Sequence, residues 1–313
     1  MCSSESLKLL QGLLLVLGVT FISFALMVWF GPDQTYTLIG KNATPEQIAE
    51  VRSQLGYDRA LLYRYLDYLR ELATLDLGAS NSTGERVSSI LARAVPVSLA
   101  LMIPGFLLGN LLGIAAGLAA ARHRGRWQDR LISGLSVGGM SISFLVIIIA
   151  FQVFFSTPYG LDLFPVRGWK VNGLASYLQY VTVPTLALIF VTLGYNTRFY
   201  RAIFIEELGK EHIRAARAFG ASERVLLWKH VLKNSMVPIV TRIMFSIPLV
   251  VISGSLLIES YFGIPGIGLI TFEAITSGDQ PVLKAVVGLT AVAFVVIQVA
   301  TEMLYRVLDP RLA

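Results

Sequence analysis

The sequence predicts an all-α integral membrane protein with six transmembrane helices and a helical loop after the first of them. Three observations carry that prediction. The chain is 55% hydrophobic and only 15% charged over 313 residues, whereas a soluble domain carries about 25% charged residues and needs them to cover its surface. Six apolar stretches reach the roughly 20 residues needed to cross a hydrocarbon core about 30 Å thick. The connecting loops differ systematically in Lys/Arg content, as the positive-inside rule requires.

In chain order the spans are Leu9–Phe30, Ala94–Ala121, Leu131–Phe155, Tyr177–Thr197, Val237–Phe262 and Ala285–Tyr305. The first resembles a secretory h-region but is too long and lacks a small-x-small cleavage site, so it is read as a retained anchor. Pro96, Pro104, Pro184 and Pro248 lie inside spans, as do Gly109, Gly113 and Gly117. Neighbouring helices re-satisfy the backbone groups that Pro frees, and small residues let helices approach closely. Cys2 is the single cysteine, which excludes an intrachain disulfide.

Orientation follows from the basic residues. The loop "RHRGRWQDR" sets Arg122, Arg124, Arg126 and Arg130 against Asp129 alone, the segment from Arg198 to Lys233 is strongly basic, and Arg306 and Arg311 close the chain. All three lie on one side if there are six spans, and that side is the cytoplasm, with both termini. In the segment from Gly31 to Glu85 acidic residues outnumber basic ones, and between Ser156 and Ser176 only Arg167 and Lys170 are basic.

Three regions result: an N-terminal transmembrane helix (1–30), an extracytoplasmic loop region (31–88) and a five-helix core (89–313). In the loop region Thr44 is placed to N-cap a helix starting at Pro45, and Gly56 to end it. "LLYRYLDYLRELATL" sets Leu62, Tyr65, Leu66 and Leu69 on one helical face. A small helical cap is expected there.

The sequence offers no enzyme constellation. It contains no phosphate-binding G-x-x-x-x-G-K-[ST] loop. His123, His212 and His230 lack metal-ligand spacing, and no serine has a base and orienter nearby in sequence. A secondary transporter or channel needs charged relays deep in its spans, and here these are nearly absent. Arg242 and Glu302 lie close enough to helix ends to be snorkelling interfacial anchors, and Glu259 lies near the outer end of its span. The polar residues Asn110, Gln152, Asn196 and Gln298 either line a pathway or hold helices together.

The most informative stretch is polar: "KEHIRAARAFGASERVLLWKHVLKN", residues 210–234, between two apolar spans. Ala215, Ala216 and Ala218 leave one helical face nearly smooth, with Arg214 and Arg217 pointing elsewhere. Gly220 suits a left-handed C-terminal position. Ser222 can cap a second helix whose positive end suits Glu223, and that helix runs back toward the bilayer through Val225, Leu226 and Val231. A DNA-reading helix-turn-helix has this outline, but tethering between two spans keeps it out of a major groove.

This segment resembles the EAA loop of binding-protein-dependent ABC importer permeases. Ala215 and Ala216 match the two alanines, Gly220 the glycine and Leu232 the leucine, while Arg214, His230 and Lys233 replace the acidic residue, isoleucine and proline. Those replacements match the dipeptide/oligopeptide/nickel branch, through Ala216, Arg217, Ala218, Gly220, His230, Val231, Leu232, Asn234 and Pro238. "LGYDRALLYRYLDYL…DLGAS" from Leu55 to Ser80, "GSLLIESYFGIPGIGLI" from Gly254, "GDQP" at Gly278 and "LDPRL" at Leu308 resemble the same branch, and "GPDQ" at Gly31 departs from its usual "PGDP". The long loop after the first span resembles the first of the two paired permeases.

The resemblance implies a type I ABC importer permease fold in a bacterial inner membrane, carrying peptides or alternatively nickel or another small solute. It implies as partners a second permease, two cytoplasmic ATPase subunits or domains that bind ATP and Mg²⁺, an extracytoplasmic solute-binding protein and the lipid bilayer, with no cofactor in this chain and no nucleic acid. It assigns ATPase coupling to Arg214, Ala215, Ala216, Arg217, Ala218, Phe219, Gly220, Ala221, Ser222 and His230.

Overall fold

The computed structural model describes residues 2–30, 35, 39, 44–54, 56–250 and 255–308. The "GPDQ" stretch, Gly254 and the C-terminal signature after Leu308 lie outside them. The helices are α1 (Cys2–Phe30), α2 (Pro45–Gln54), α3 (Leu61–Thr74), α4 (Val87–Arg122), α5 (Trp127–Ser141), α6 (Phe144–Ser156), α7 (Leu174–Leu208) and α8 (Glu211–Ala218). There follow α9 (Glu223–Val225), continuing as a π-helix over Leu226–Leu232, then α10 (Met236–Leu249), α11 (Ser255–Phe262), α12 (Ile267–Ser277) and α13 (Gln280–Leu308). No strand occurs among the described residues, only an isolated bridge between Ala79 and Arg86.

The α4 and α7 helices, 36 and 35 residues long, extend about 50 Å at 1.5 Å per residue and so overshoot the hydrocarbon core at their ends. Together with α13 they are long and apolar enough to span alone. The predicted third span corrects to two helices, α5 and α6, bent by 98°. Ile142 (φ −89°, ψ 133°) and Ser143 (φ −58°, ψ 137°) are both extended and follow the poor helix formers Gly138, Gly139 and Ser141. The Ser141 hydroxyl donates back to the Val137 carbonyl at 2.8 Å. The predicted fifth span corresponds to α10 and α11, and a helix the sequence did not announce, α12, follows it. Phe262 ends α11, and its carbonyl accepts from the Gly168 N–H at 2.7 Å.

The chain forms two compact units, residues 1–97 with 265–296, and residues 98–264 with 297–313. In the first unit α3 lies against α1 through Phe24, Tyr65 and Tyr68. The Tyr65 hydroxyl donates to the Leu17 carbonyl at 2.8 Å and lies 2.9 Å from the Thr20 hydroxyl, while Tyr68 stacks on Phe24 with centroids 5.8 Å apart. The predicted packing face therefore shifts, for Leu62 and Leu66 are exposed. The apolar side of this helix is wide, and the stripe that packs, Leu61, Tyr65, Tyr68 and Leu69, is the one whose tyrosine hydroxyls find acceptors. The predicted cap of α2 is present as a capping box, with the Thr44 hydroxyl accepting from the Gln47 N–H at 3.4 Å and Gln47 Oε1 accepting from the Thr44 N–H at 3.0 Å. Gly56 adopts φ +68°.

A second cluster joins Val87, Leu91 and Ala94 to Ile267, Ala274, Val282, Ala285 and Val286. Beside it, buried Asp279 accepts from the Ser80 hydroxyl at 2.5 Å and from the N–H groups of Asn81 at 3.3 Å and Ser82 at 3.2 Å. Two stretches far apart in sequence, "DLGAS" and "GDQP", are thereby joined through one carboxylate.

In the second unit α5 and α6 pack on α7, and α4 approaches α7 through Gly105, Gly109, Gly113 and Gly117. A Cβ on Gly113 would sit 2.6 Å from the Asn196 Cβ, and one on Gly117 would sit 2.9 Å from the Arg201 nitrogen. Glycine every fourth residue makes a flat ridge on which another backbone can lie.

Candidate coupling segment and its buried supports

The polar segment begins where α7 ends. Glu207, only 4% exposed, receives the Lys210 ammonium at 2.5 Å and lies 3.1 Å from His212 Nε2. The same His212 nitrogen is 3.0 Å from the Asn234 side-chain amide, so one buried carboxylate and one histidine tie the start of α8 to α7 and to the return of the segment. The hydrogen bond it donates to Glu207 holds the Lys210 ammonium above the ordinary lysine range.

The α8 helix is fastened by a single fully buried residue, Ile213, in a cluster with Leu118, Tyr200, Phe204, Leu226, Leu227, Val231 and Ile239. The three alanines do not share one face. Ala215 and Ala218 point outward with Arg214 and Arg217, while Ala216 packs inward with Ala221. Phe219, at the tip, is 92% exposed.

The turn is a Schellman motif. The Gly220 N–H donates to the Arg217 carbonyl at 3.0 Å and the Ala221 N–H to the Ala216 carbonyl at 3.1 Å. Gly220 has φ +84°, and no heavy atom lies within 4 Å of where its Cβ would be. The glycine thus serves the backbone conformation rather than the space around it. Ala216 and Ala221, at the two positions whose apolar contact accompanies this motif, both pack against the same buried cluster. Ser222 caps α9 as expected, its hydroxyl accepting from the Val225 N–H at 3.5 Å, and Arg217 donates to Glu223 at 3.1 Å across the turn.

The return helix departs from expectation in its winding. Leu226–Leu232, which includes His230, is π-helical, so residues five apart share a face. Leu226, Leu227 and Val231 are buried, and Val225, expected among them, is exposed.

A further support was not read from the sequence. Arg201 donates to both oxygens of Asp129, Nε at 2.6 Å and Nη2 at 2.8 Å, and the Gly125 N–H donates to the same carboxylate at 2.9 Å. Asp129, the lone acid in a basic loop, is 4% exposed and joins that loop to α7 in the fork geometry that makes Arg–carboxylate pairs strong. The Glu207–Lys210 spacing (i, i+3) was a legible signal for the first support. The Asp129–Arg201 pair had none.

The polar residues of the spans divide. Asn110 Oδ1 accepts from the Tyr200 hydroxyl at 2.6 Å and the Asn196 amide at 3.2 Å, and the Asn110 amide donates to the Phe106 carbonyl at 2.8 Å. These buried groups hold α4 to α7. Gln152 donates to the Val166 carbonyl at 2.7 Å. Gln298 is partly buried on α13. Arg242 stands with its guanidinium 5.3 Å from the Phe199 ring centre and its Nε buried without a hydrogen bond among the described residues. Glu259 is fully buried and accepts from the Ser98 hydroxyl at 2.6 Å. The side chain of Glu302 lies outside the described residues. Among the described residues no cluster of His, Cys, Asp and Glu suits a metal ion.

Comparison with known proteins adds the family. Residues 109–313 match the binding-protein-dependent transport system inner membrane component, and residues 7–102 match the N-terminal part of such membrane components. The dipeptide transport system permease protein DppB of Lactococcus lactis subsp. cremoris is 33% identical over 304 residues, 97% of this chain and 95% of that protein. The glutathione transport system permease protein GsiC of Salmonella typhimurium is 32% identical over 306 residues, 97% of each chain. Among solved structures, an inward-facing MetNI methionine ABC transporter shares the fold, with a TM-score of 0.58 and 20% identity over 70% of this chain and 96% of that one. The two matched regions together span almost the whole sequence, and by them the chain belongs to the family of binding-protein-dependent transport system inner membrane components.

Proposed function

We propose that this chain is the permease subunit of an ABC importer for short peptides and that residues 210–234 are where it docks on its ATPase. The observation that carries the reading is the exposed α8–Gly220–α9 turn. Its geometry is enforced by a Schellman motif, one buried isoleucine and the Glu207–His212 anchor, on a chain whose full-length relatives are named dipeptide and glutathione permeases. Alanines and an exposed phenylalanine give a partner protein close approach and an apolar contact. Anchoring at both ends makes the turn a lever that moves with α7.

On this reading a second permease completes the pathway, and two ATPases bind ATP and Mg²⁺ on the cytoplasmic face. A solute-binding protein delivers cargo to the opposite face, where residues 31–88 lie, and both termini are cytoplasmic. ATPase closure would drive the packed helices between inward-open and outward-open arrangements by rigid-body motion. This subunit performs no bond chemistry of its own, and the five-helix portion 89–313 forms its share of the pathway. Nickel or another small solute is the alternative cargo.

The test is reconstitution of the complete transporter in liposomes, with uptake of labelled di- and tripeptides and of nickel measured in parallel. ATP-dependent peptide uptake that requires this chain supports the proposal. Uptake of nickel alone would replace the cargo, and ATP turnover by this subunit without partners would overturn the assignment.

A further inference from the structure

We propose that the unit formed by residues 1–97 and 265–296 contains a receiving site for the C-terminal carboxylate of a short peptide, held by Arg64 and Lys284. It rests on the peptide-importer reading. The site is a cavity of about 450 Å³ beside α1, α3 and the start of α13, within the size range of small-molecule sites.

The floor is aromatic. Phe24 is buried beneath the cavity, and both cations lie close to its ring, Arg64 Cζ at 6.0 Å and Lys284 Nζ at 5.7 Å from the centroid. Arg64 also lies over Tyr57 at 4.6 Å. Neither cation has a carboxylate within 4.0 Å among the described residues, whereas Arg59, on the same wall, is paired with Asp67 at 3.2 Å. The Tyr68 hydroxyl donates to the backbone carbonyl of Lys284 at 3.0 Å, which fixes the backbone of a residue that lines the cavity. Two partly buried cations share one aromatic ring with no carboxylate among the described residues in direct contact, Glu71 attracting Lys284 only from beyond 4.0 Å, and so fall short of a fully charge-paired state. An anion entering the cavity makes good that shortfall.

The kind of anion follows from the other lining residues. Glu71 and Asp76 line the same cavity. They disfavour a ligand that is anionic throughout and favour one carrying an ammonium group away from its carboxylate. A short peptide with free ends has this charge pattern. The stretch from Tyr57 to Tyr68, singled out in the sequence but unused by the coupling segment, supplies Tyr57, Arg59, Arg64, Asp67 and Tyr68 to the lining.

The experiment uses the full-length chain in phosphatidylcholine nanodiscs, with trialanine and its C-terminal amide titrated calorimetrically. The expected result is that the amide binds at least about tenfold more weakly than trialanine, and that Lys284→Met and Arg64→Met each weaken trialanine by a similar factor without further weakening the amide. Arg93→Met, whose side chain is paired with Glu85 at 2.6 Å and does not line the cavity, should stay within about twofold of the wild type. Thermal unfolding checks each variant, and Arg64→Met carries the test should Lys284→Met not fold. Equal affinity for trialanine and its amide, or wild-type affinity in both variants, would overturn the proposal. Loss of trialanine binding when phosphatidylglycerol is added would overturn it in favour of a lipid headgroup site. Peptide uptake by the complete wild-type transporter, measured separately, reports on the importer reading, so uptake without binding condemns the site alone, and binding without uptake condemns the reading alone.

Discussion

Gly220 offers the most direct test of the coupling segment, because its environment separates backbone strain from steric clash. It adopts φ +84°, and an added Cβ would meet no heavy atom within 4 Å. Any cost of substitution is therefore conformational. A non-glycine residue in the left-handed region loses roughly 1–2 kcal/mol, and a β-branched one lies toward the upper end of the 1–3 kcal/mol expected for strained backbone. Relaxing that strain means leaving the left-handed region, which breaks the bonds from the Gly220 and Ala221 N–H groups to Arg217 and Ala216, each worth about 0.5–1.5 kcal/mol net. The turn would then open and Phe219 would lose its position. Asparagine tolerates the left-handed region, so Gly220→Asn should transport nearly as the wild type, Gly220→Ala should be intermediate, and Gly220→Val should lose uptake and binding-protein-stimulated ATPase activity. Membrane abundance should stay near wild type in all three, since the turn lies outside the packed spans. The assays are immunoblotting of membranes, peptide uptake and ATPase stimulation in the reconstituted transporter. Wild-type import by Gly220→Val, or equal damage by Asn and Val, would refute the reasoning.

Other expectations follow from the same structure. Glu207→Ala should loosen the start of α8 at a cost of about 1 kcal/mol, because Lys210 and His212 are about half exposed and are not left as buried unpaired charges. Faster proteolysis within residues 209–222 and several-fold lower uptake at normal abundance would show it. Gly113→Val should be worse for assembly than for coupling, since its side chain would collide with Asn196; an overpacking cost of about 1–3 kcal/mol should appear as a lower unfolding temperature in detergent. In a Cys2→Ser background, cysteine at Ser53 should react with an impermeant thiol reagent in intact spheroplasts and cysteine at Ser222 only after lysis, and the reverse pattern would invert the topology.

The sequence by itself determined the class, most of the apolar helices and the place of the Gly220 turn, because each depends on local quantities. Apolar run length, Lys/Arg asymmetry, a glycine at a helix end and a capping Thr-x-x-Gln act within a few residues of themselves, and the Gly220 turn and the α2 cap are where they were expected. The tertiary structure decided whatever depended on which surface meets which. Only packing selects Leu61, Tyr65, Tyr68 and Leu69 of α3 over Leu62 and Leu66, since both sets have helical spacing and differ in whether a hydroxyl finds an acceptor at Leu17 or Lys284. Only the fold brings Asp129 to Arg201, Ser80 to Asp279, and Asn110 to Asn196 and Tyr200, pairs separated by 72 to 199 positions. The π-winding of Leu226–Leu232 is likewise absent from any 3.6-residue pattern. Charges and hydroxyls inside a membrane protein are placed by partners distant in sequence, because burial penalises them until such a partner arrives.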